Sequence, residues 1–211
     1  MYDLATVVPT ADLDPGTNVL LTGEPLTGKR NLGLDVLASG ATRGEGSIVV
    51  TTKDSADKVL STFDGRLGPD TTIADVDVGI VDCVSRQRGV ETTEADPRIK
   101  YASSPVDMTG VGIGVSEFLQ EFYESRGLSR NRILLHSIST LLMYTDLKTV
   151  FRFLHVFTGR VQSADALGIY VIDSTAHDDE TMNTLKQLFD GLIEVSEGDG
   201  VEPDVRTAGI S

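Results

Sequence analysis

The stretch Gly23-Glu24-Pro25-Leu26-Thr27-Gly28-Lys29-Arg30 constrains this chain more than any other. An apolar run at 18–22 precedes it and a helix-like stretch at 31–39 follows it, so strand, glycine-framed turn and helix come in succession. In that context backbone N–H groups cradle phosphate oxygens, a lysine reaches the terminal phosphates, and the helix N-terminus adds favourable potential. The spacing G-x-x-x-x-G-K is intact, but Arg30 stands where Ser or Thr would hold Mg²⁺. The eight residues are thus a candidate nucleotide-binding set, with ATP or ADP as the ligand class and Mg²⁺ disfavoured. A strand–turn–helix junction whose glycines serve only the turn is the competing reading.

The remaining chain alternates apolar strand-like runs with helical stretches. Strands are expected at 18–22, 47–52, 76–84, 132–137 and 167–172, with a short strand-like patch at 99–102. Helices are expected at 29–40, from an Asp54 or Ser55 cap to Phe63, from a Ser116 cap to Gly127, at 138–145, at 147–164, and from Asp178 to Asp190. Residues 191–197 and 203–209 read as an antiparallel closing pair turning at Gly198-Asp199-Gly200. Residues 1–17 read as an N-terminal extension, and the segment 85–114 as a long loop whose one regular piece is the strand-like patch at 99–102. Strands that are apolar throughout, separated by helices, predict an α/β domain spanning 1–211 with a mostly parallel sheet covered on both faces. Ligands of such sheets bind at the carboxyl ends of the strands, where residues 23–30 fall.

Charge narrows the partners. The chain has 32 Asp and Glu against 18 Lys and Arg, a formal net charge of −14, and no Trp. An Asp-heavy, Lys-poor surface suits a cytosol of high salt, where screening suppresses self-repulsion. The composition resembles that of halophilic archaeal proteins, with an ordinary acidic protein as the alternative. Acidity argues against nonspecific nucleic-acid binding, which needs clustered cations. The single cysteine, Cys83, fits a reducing compartment and sits in an apolar run as a buried thiol. No apolar run is long enough for a bilayer span, and the N-terminal residues lack signal-peptide character, so a cytoplasmic location is expected.

Loop, strand order and helix placement together resemble the RecA-type P-loop ATPases, in particular the archaeal group around KaiC and RadA. The resemblance covers roughly residues 15–200 and implies a three-layer RecA-like fold. It is carried by residues 23–29 and by the apolar strand ending Leu134-Leu135-His136-Ser137. The segment 103–114 is also similar to short haloarchaeal relatives of that group. Where active members have a glutamate that activates water, this chain has Lys53 or Asp54. Where they end a strand in Asp-Ser, it has His136-Ser137. With Arg30, three catalytic positions differ, and phosphoryl transfer of this class depends on them for positioning and charge stabilisation.

The resemblance therefore implies a nucleotide-responsive or purely structural regulator with little or no hydrolysis, acting through a protein partner, with a homo-oligomer as a further expectation. Two alternatives remain open at this stage. One is a slow ATPase relying on Asp54 or Asp173. The other is a recombination accessory binding DNA through Arg86, Arg88 and Arg98. His136 reads foremost as a core histidine, with a neutral donor or pH-sensitive group beside the phosphate site as its alternative, and His155 as a packing or interface residue. His177, Asp178 and Asp179 read as a capped helix start rather than a metal site, and no metal ligand set is expected.

Overall fold

The computed structural model describes residues 1–8, 12–90, 96–198 and 203–210. Its elements run β1 (Asn18–Gly23), α1 (Lys29–Ala41), β2 (Gly46–Thr51), α2 (Ala56–Asp64), β3 (Val78–Asp82), β4 (Ile99–Tyr101) and α3 (Met108–Arg126). Then come β5 (Asn131–His136), α4 (Ile138–Tyr144), α5 (Leu147–Ser163), β6 (Leu167–Asp173), α6 (Asp179–Lys186), β7 (Gly191–Ser196) and β8 (Asp204–Ala208). The strands form one sheet in the order β4-β3-β2-β5-β6-β1-β7-β8. Every neighbouring pair is parallel except β7 with β8, which is antiparallel. Thus the expected mostly parallel sheet with an antiparallel close is what the chain builds.

Both faces of the sheet are covered, and the strands divide their side chains between them with period two. Val19 and Leu21 of β1 and Ile169 and Val171 of β6 join α1, α2 and the N-terminal residues Tyr2, Leu4, Val8 and Leu13 in one core. Leu20, Tyr170 and Ile172 point the other way, into a second core with α3, α4, α5 and α6. The N-terminal segment is therefore part of the fold, closed on itself by a bridge between Tyr2 and Leu13. A buried polar cluster ties it to the sheet. Arg132, with no exposed side-chain surface, pairs with Glu45 at 2.6 Å and donates to the carbonyls of Val36 at 2.7 Å and Asp3 at 3.0 Å. A buried guanidinium needs that many acceptors to offset its lost hydration.

Three boundaries differ from the sequence expectation. The short strand expected within 85–114 forms as β4, but the segment also holds the opening turns of α3; its residues 91–95 lie outside the described residues. Helix α3 begins at Met108, not at Ser116, and is capped by Asp107, whose carboxylate accepts from the Gly110 N–H at 2.9 Å. Ser116 instead lies inside the helix, its hydroxyl donating to the Gly112 carbonyl at 2.8 Å. Helix α6 stops at Lys186, short of Asp190, because the chain tightens into i→i−3 bonds at Leu188 and Phe189. Asp190 is then fixed to β1, where its carboxylate accepts from the Asn18 N–H at 2.8 Å. The turn expected at Gly198-Asp199-Gly200 lies partly outside the described residues.

Candidate phosphate-loop site

The parallel register brings the carboxyl ends of five strands to one level. Gly23 is opposite Asp173, Thr51 is opposite both His136 and Asp82, and His136 is opposite Val171. Residues 23–30 leave β1 at this end. A Cβ on Gly23 would lie 2.0 Å from the carbonyl oxygen of Val195, so only glycine fits there. Gly28 takes φ +85° to turn into α1, in the left-handed region that glycine enters without steric cost. Leu26 has φ 70° and is 99% exposed at the loop tip, an uncommon conformation for a residue with a Cβ. Beside the loop opens a cleft of about 790 Å³ bordered by Val7, Leu32, Glu197 and Val205, within the range of small-molecule sites.

Lys29, the first residue of α1, has a side chain only 4% exposed. Its ammonium Nζ is 2.9 Å from Asp173 Oδ1, donates to the carbonyl of Glu24, and is 3.5 Å from Thr27 Oγ1. The Thr27 hydroxyl itself donates to the Glu24 carbonyl at 2.9 Å. Arg30 turns away from the loop to α2's leading edge, with Nη2 2.9 Å from Asp54 Oδ2. The other Asp54 oxygen pairs with Lys58 Nζ at 2.6 Å. Partial burial would raise the Asp54 pKa, but the Lys58 hydrogen bond and the charges of Arg30 and Lys58 outweigh it and hold the carboxyl below its ordinary range. Of the two residues at the expected water-activating position, then, Asp54 faces the site and is held by two cations. Lys53 is exposed, with its carbonyl accepting from Arg88 at 3.2 Å.

His136 ends β5 with its ring largely buried and Nδ1 without a hydrogen-bond partner among the described residues. Burial, then the charge of Arg30, pull its pKa from 6.5 to about 4. The imidazole is therefore neutral at pH 7. The peptide bond to Ser137 is cis. The Ser137 N–H donates to Thr52 Oγ1 at 2.8 Å, and its side chain caps α4 by accepting from the Thr140 N–H at 3.3 Å. Asp173 is placed by its own backbone, whose N–H donates to Ser139 Oγ at 2.9 Å; the same hydroxyl meets His177 Nε2 at 2.9 Å. No cluster of three or more potential metal-ligating side chains occurs among the described residues.

Asp82 is the residue that sequence reasoning missed. Fully buried at the end of β3, it accepts from the N–H groups of Ala56, Val84 and Ser85 at 2.8, 2.7 and 2.9 Å and from the Ser85 hydroxyl at 2.7 Å. It thereby caps α2, whose N-cap Ser55 makes no side-chain cap bond. Of the arginines singled out for nucleic acid, Arg86 and Arg88 both follow β3, but Arg98 lies apart from them. Arg86 follows β3 and lies over the Tyr101 ring at 5.4 Å, while Arg98 precedes β4 at the opposite end of the sheet, paired with Asp96 at 2.7 Å. His155 is exposed on α5 and stacks on Phe151. Asp178 caps α6 through the Thr181 N–H at 2.8 Å.

The strand order, the helices on both faces and the loop at the carboxyl end of β1 define a RecA-like fold. A KaiC-like protein from the hyperthermophilic archaeon Pyrococcus horikoshii aligns with a TM-score of 0.60 at 13% identity, over 98% of this chain and 83% of that one. An uncharacterized protein of the same archaeon, solved in complex with an unknown peptide, aligns with a TM-score of 0.68 at 12% identity, over 94% of each chain. At such identities the likeness establishes the fold alone. The chain belongs to DUF7504, a family of unknown function whose model matches residues 16–195. No curated protein gives a significant sequence match.

Proposed function

We propose that this chain is a RecA-fold regulatory protein that holds a nucleoside polyphosphate at residues 23–30 with little or no hydrolysis and answers to it through protein contacts. The observation that carries this reading is the Arg30–Asp54 ion pair, 2.9 Å across. It places a guanidinium at the position where a metal-holding hydroxyl is needed and engages the one carboxylate near the water-activating position. Mg²⁺ does not fit this donor set, and no step is assigned to it. The cradle does fit an anion: a glycine that admits no Cβ, a left-handed turn at Gly28 and a buried ammonium at Lys29 converge on one strand end. A bound polyphosphate would be held by the loop N–H groups and Lys29, and Arg30 would add its charge only by swinging back from Asp54 toward the loop. His136, neutral at the end of β5, offers neither a metal ligand of negative charge nor a strong base. The peptide found with one structural relative supports a protein or peptide partner as the output.

Equilibrium titration with ATP and ADP, with and without EDTA, tests this. Binding should survive EDTA, and Lys29→Ala should weaken it by at least about tenfold, the loss of roughly one charged hydrogen bond. Phosphate release should not exceed that of Lys29→Ala. Strictly Mg²⁺-dependent binding with turnover abolished in Lys29→Ala would instead make the chain a slow ATPase.

A further inference from the structure

We infer that Asp173 is a built-in competitor for the phosphate at Lys29, and so sets how strongly an anion must bind to occupy the cradle. The inference rests on reading residues 23–30 as a polyphosphate site. An ammonium has three N–H donors and no more. At Lys29 all three directions are engaged, by the Glu24 carbonyl, by Asp173 Oδ1 at 2.9 Å and by Thr27 Oγ1 at 3.5 Å. A phosphate oxygen reaching Nζ must displace one of them. Glu24 and Thr27 belong to the loop itself, and Thr27 is bonded to the Glu24 carbonyl, so they keep the loop closed. Asp173 comes from the neighbouring strand, outside the loop, and its side chain is 35% accessible against 4% for Lys29.

A carboxylate oxygen and a phosphate oxygen are the same kind of acceptor for an ammonium. Asp173 therefore occupies the anion's place while the cradle is empty, and compensates a lysine that would otherwise be a lone buried charge. It is also fixed there: β6 pairs Asp173 with Gly23, and the Ser139 hydroxyl holds its N–H. On binding, Lys29 exchanges one negative partner for another, and the Asp173 carboxylate is left beside a second anion. Asp173 is thus a specificity-determining residue. It penalises every anion, and a polyphosphate, which gains the loop N–H groups as well, overcomes it where a single-point anion does not.

The test is calorimetric titration of ATP, in EDTA, into the wild-type chain, Asp173→Asn and Asp173→Ser, each checked for folding by its thermal melt. Both variants should bind ATP about tenfold more tightly than wild type, while melting lower without ligand because Lys29 has lost its partner. Adding Lys29→Ala to Asp173→Asn should erase the gain. A residue with only a structural role would leave the affinity unchanged or lower it. If wild type binds and neither variant binds more tightly, the competitor role is wrong and the cradle reading stands. If none of the three binds ATP, both fall. Two variants of different size guard against one failing to fold.

Discussion

The charge of His136 is decided by its surroundings. Burial comes first, Arg30 second and Lys53 adds in the same direction, while Asp54 and Asp173 oppose them without prevailing, so the pKa falls from 6.5 to about 4. A base whose folded pKa is depressed binds fewer protons than it does unfolded between those two values, so stability increases with pH across that window. The contribution is complete above pH 6.5 and is lost as pH falls toward 4, amounting to about 3 kcal/mol at full size. Urea denaturation between pH 4 and 7 should show this fall in the wild type and a flatter profile in His136→Gln; parallel profiles would mean the imidazole is not held neutral. The carboxylates act in a different window. Asp54 and Asp96 are held below 3.8 by hydrogen bonds and neighbouring cations and Asp107 by hydrogen bonds from Ser103 and Gly110, so the stability they add is present above that value and is lost in more acid solution.

At the scale of elements, Asp82 joins β3 to the start of α2 and to the turn at 84–85. Asp82→Ala leaves three buried N–H groups without an acceptor, each costing roughly 1 kcal/mol or more. A loss of about 3–4 kcal/mol in urea denaturation, with faster amide exchange at Ala56, Val84 and Ser85, is the expected result. A loss under about 1 kcal/mol would show that water replaces the carboxylate.

The same elements show what a sequence carries and what it does not. The strands were legible because they are apolar and β-branched, and the loop because its glycines and lysine keep a fixed spacing. The start of α3 was not. Its first turns carry Gly110, Gly112 and Gly114, poor helix formers that nonetheless let neighbours approach: a Cβ on Gly112 would lie 2.9 Å from Arg160 Nη1 and one on Gly114 3.1 Å from Val81 Cγ2. Tertiary packing overrides helix propensity there. Asp82 was hidden for a similar reason, because its partners in α2 and the following turn meet only after folding. At the site, the motif positions were readable one by one, but the pairing of Lys29 with Asp173 and of Arg30 with Asp54 depends on which strands are neighbours.

For the whole molecule, a net charge of −14 on 211 residues means self-repulsion that salt relieves. The melting temperature should rise by several degrees between about 0.1 and 2 M KCl, beyond the range where simple screening of an ordinary acidic protein is already complete. A flat response would mean that the acidic surface is not an adaptation to high salt. The composition sets this property, and the fold only distributes it. Meanwhile the apolar residues are divided between two cores, one on each face of the sheet, so the central strands are dry on both sides.

The two outermost strands of the sheet carry a further consequence. At one border β4 is three residues long, and at the other β8 is five, alternating exposed and half-buried positions with Asp204 and Arg206 among them. An open border is a template on which a second chain can be laid down, and the danger grows with its length and greasiness. Here one border is short and the other is studded with charge. Crowding many copies together should therefore give little fibrous or amorphous aggregate while the sheet is intact, even though its interior is rich in Val and Ile.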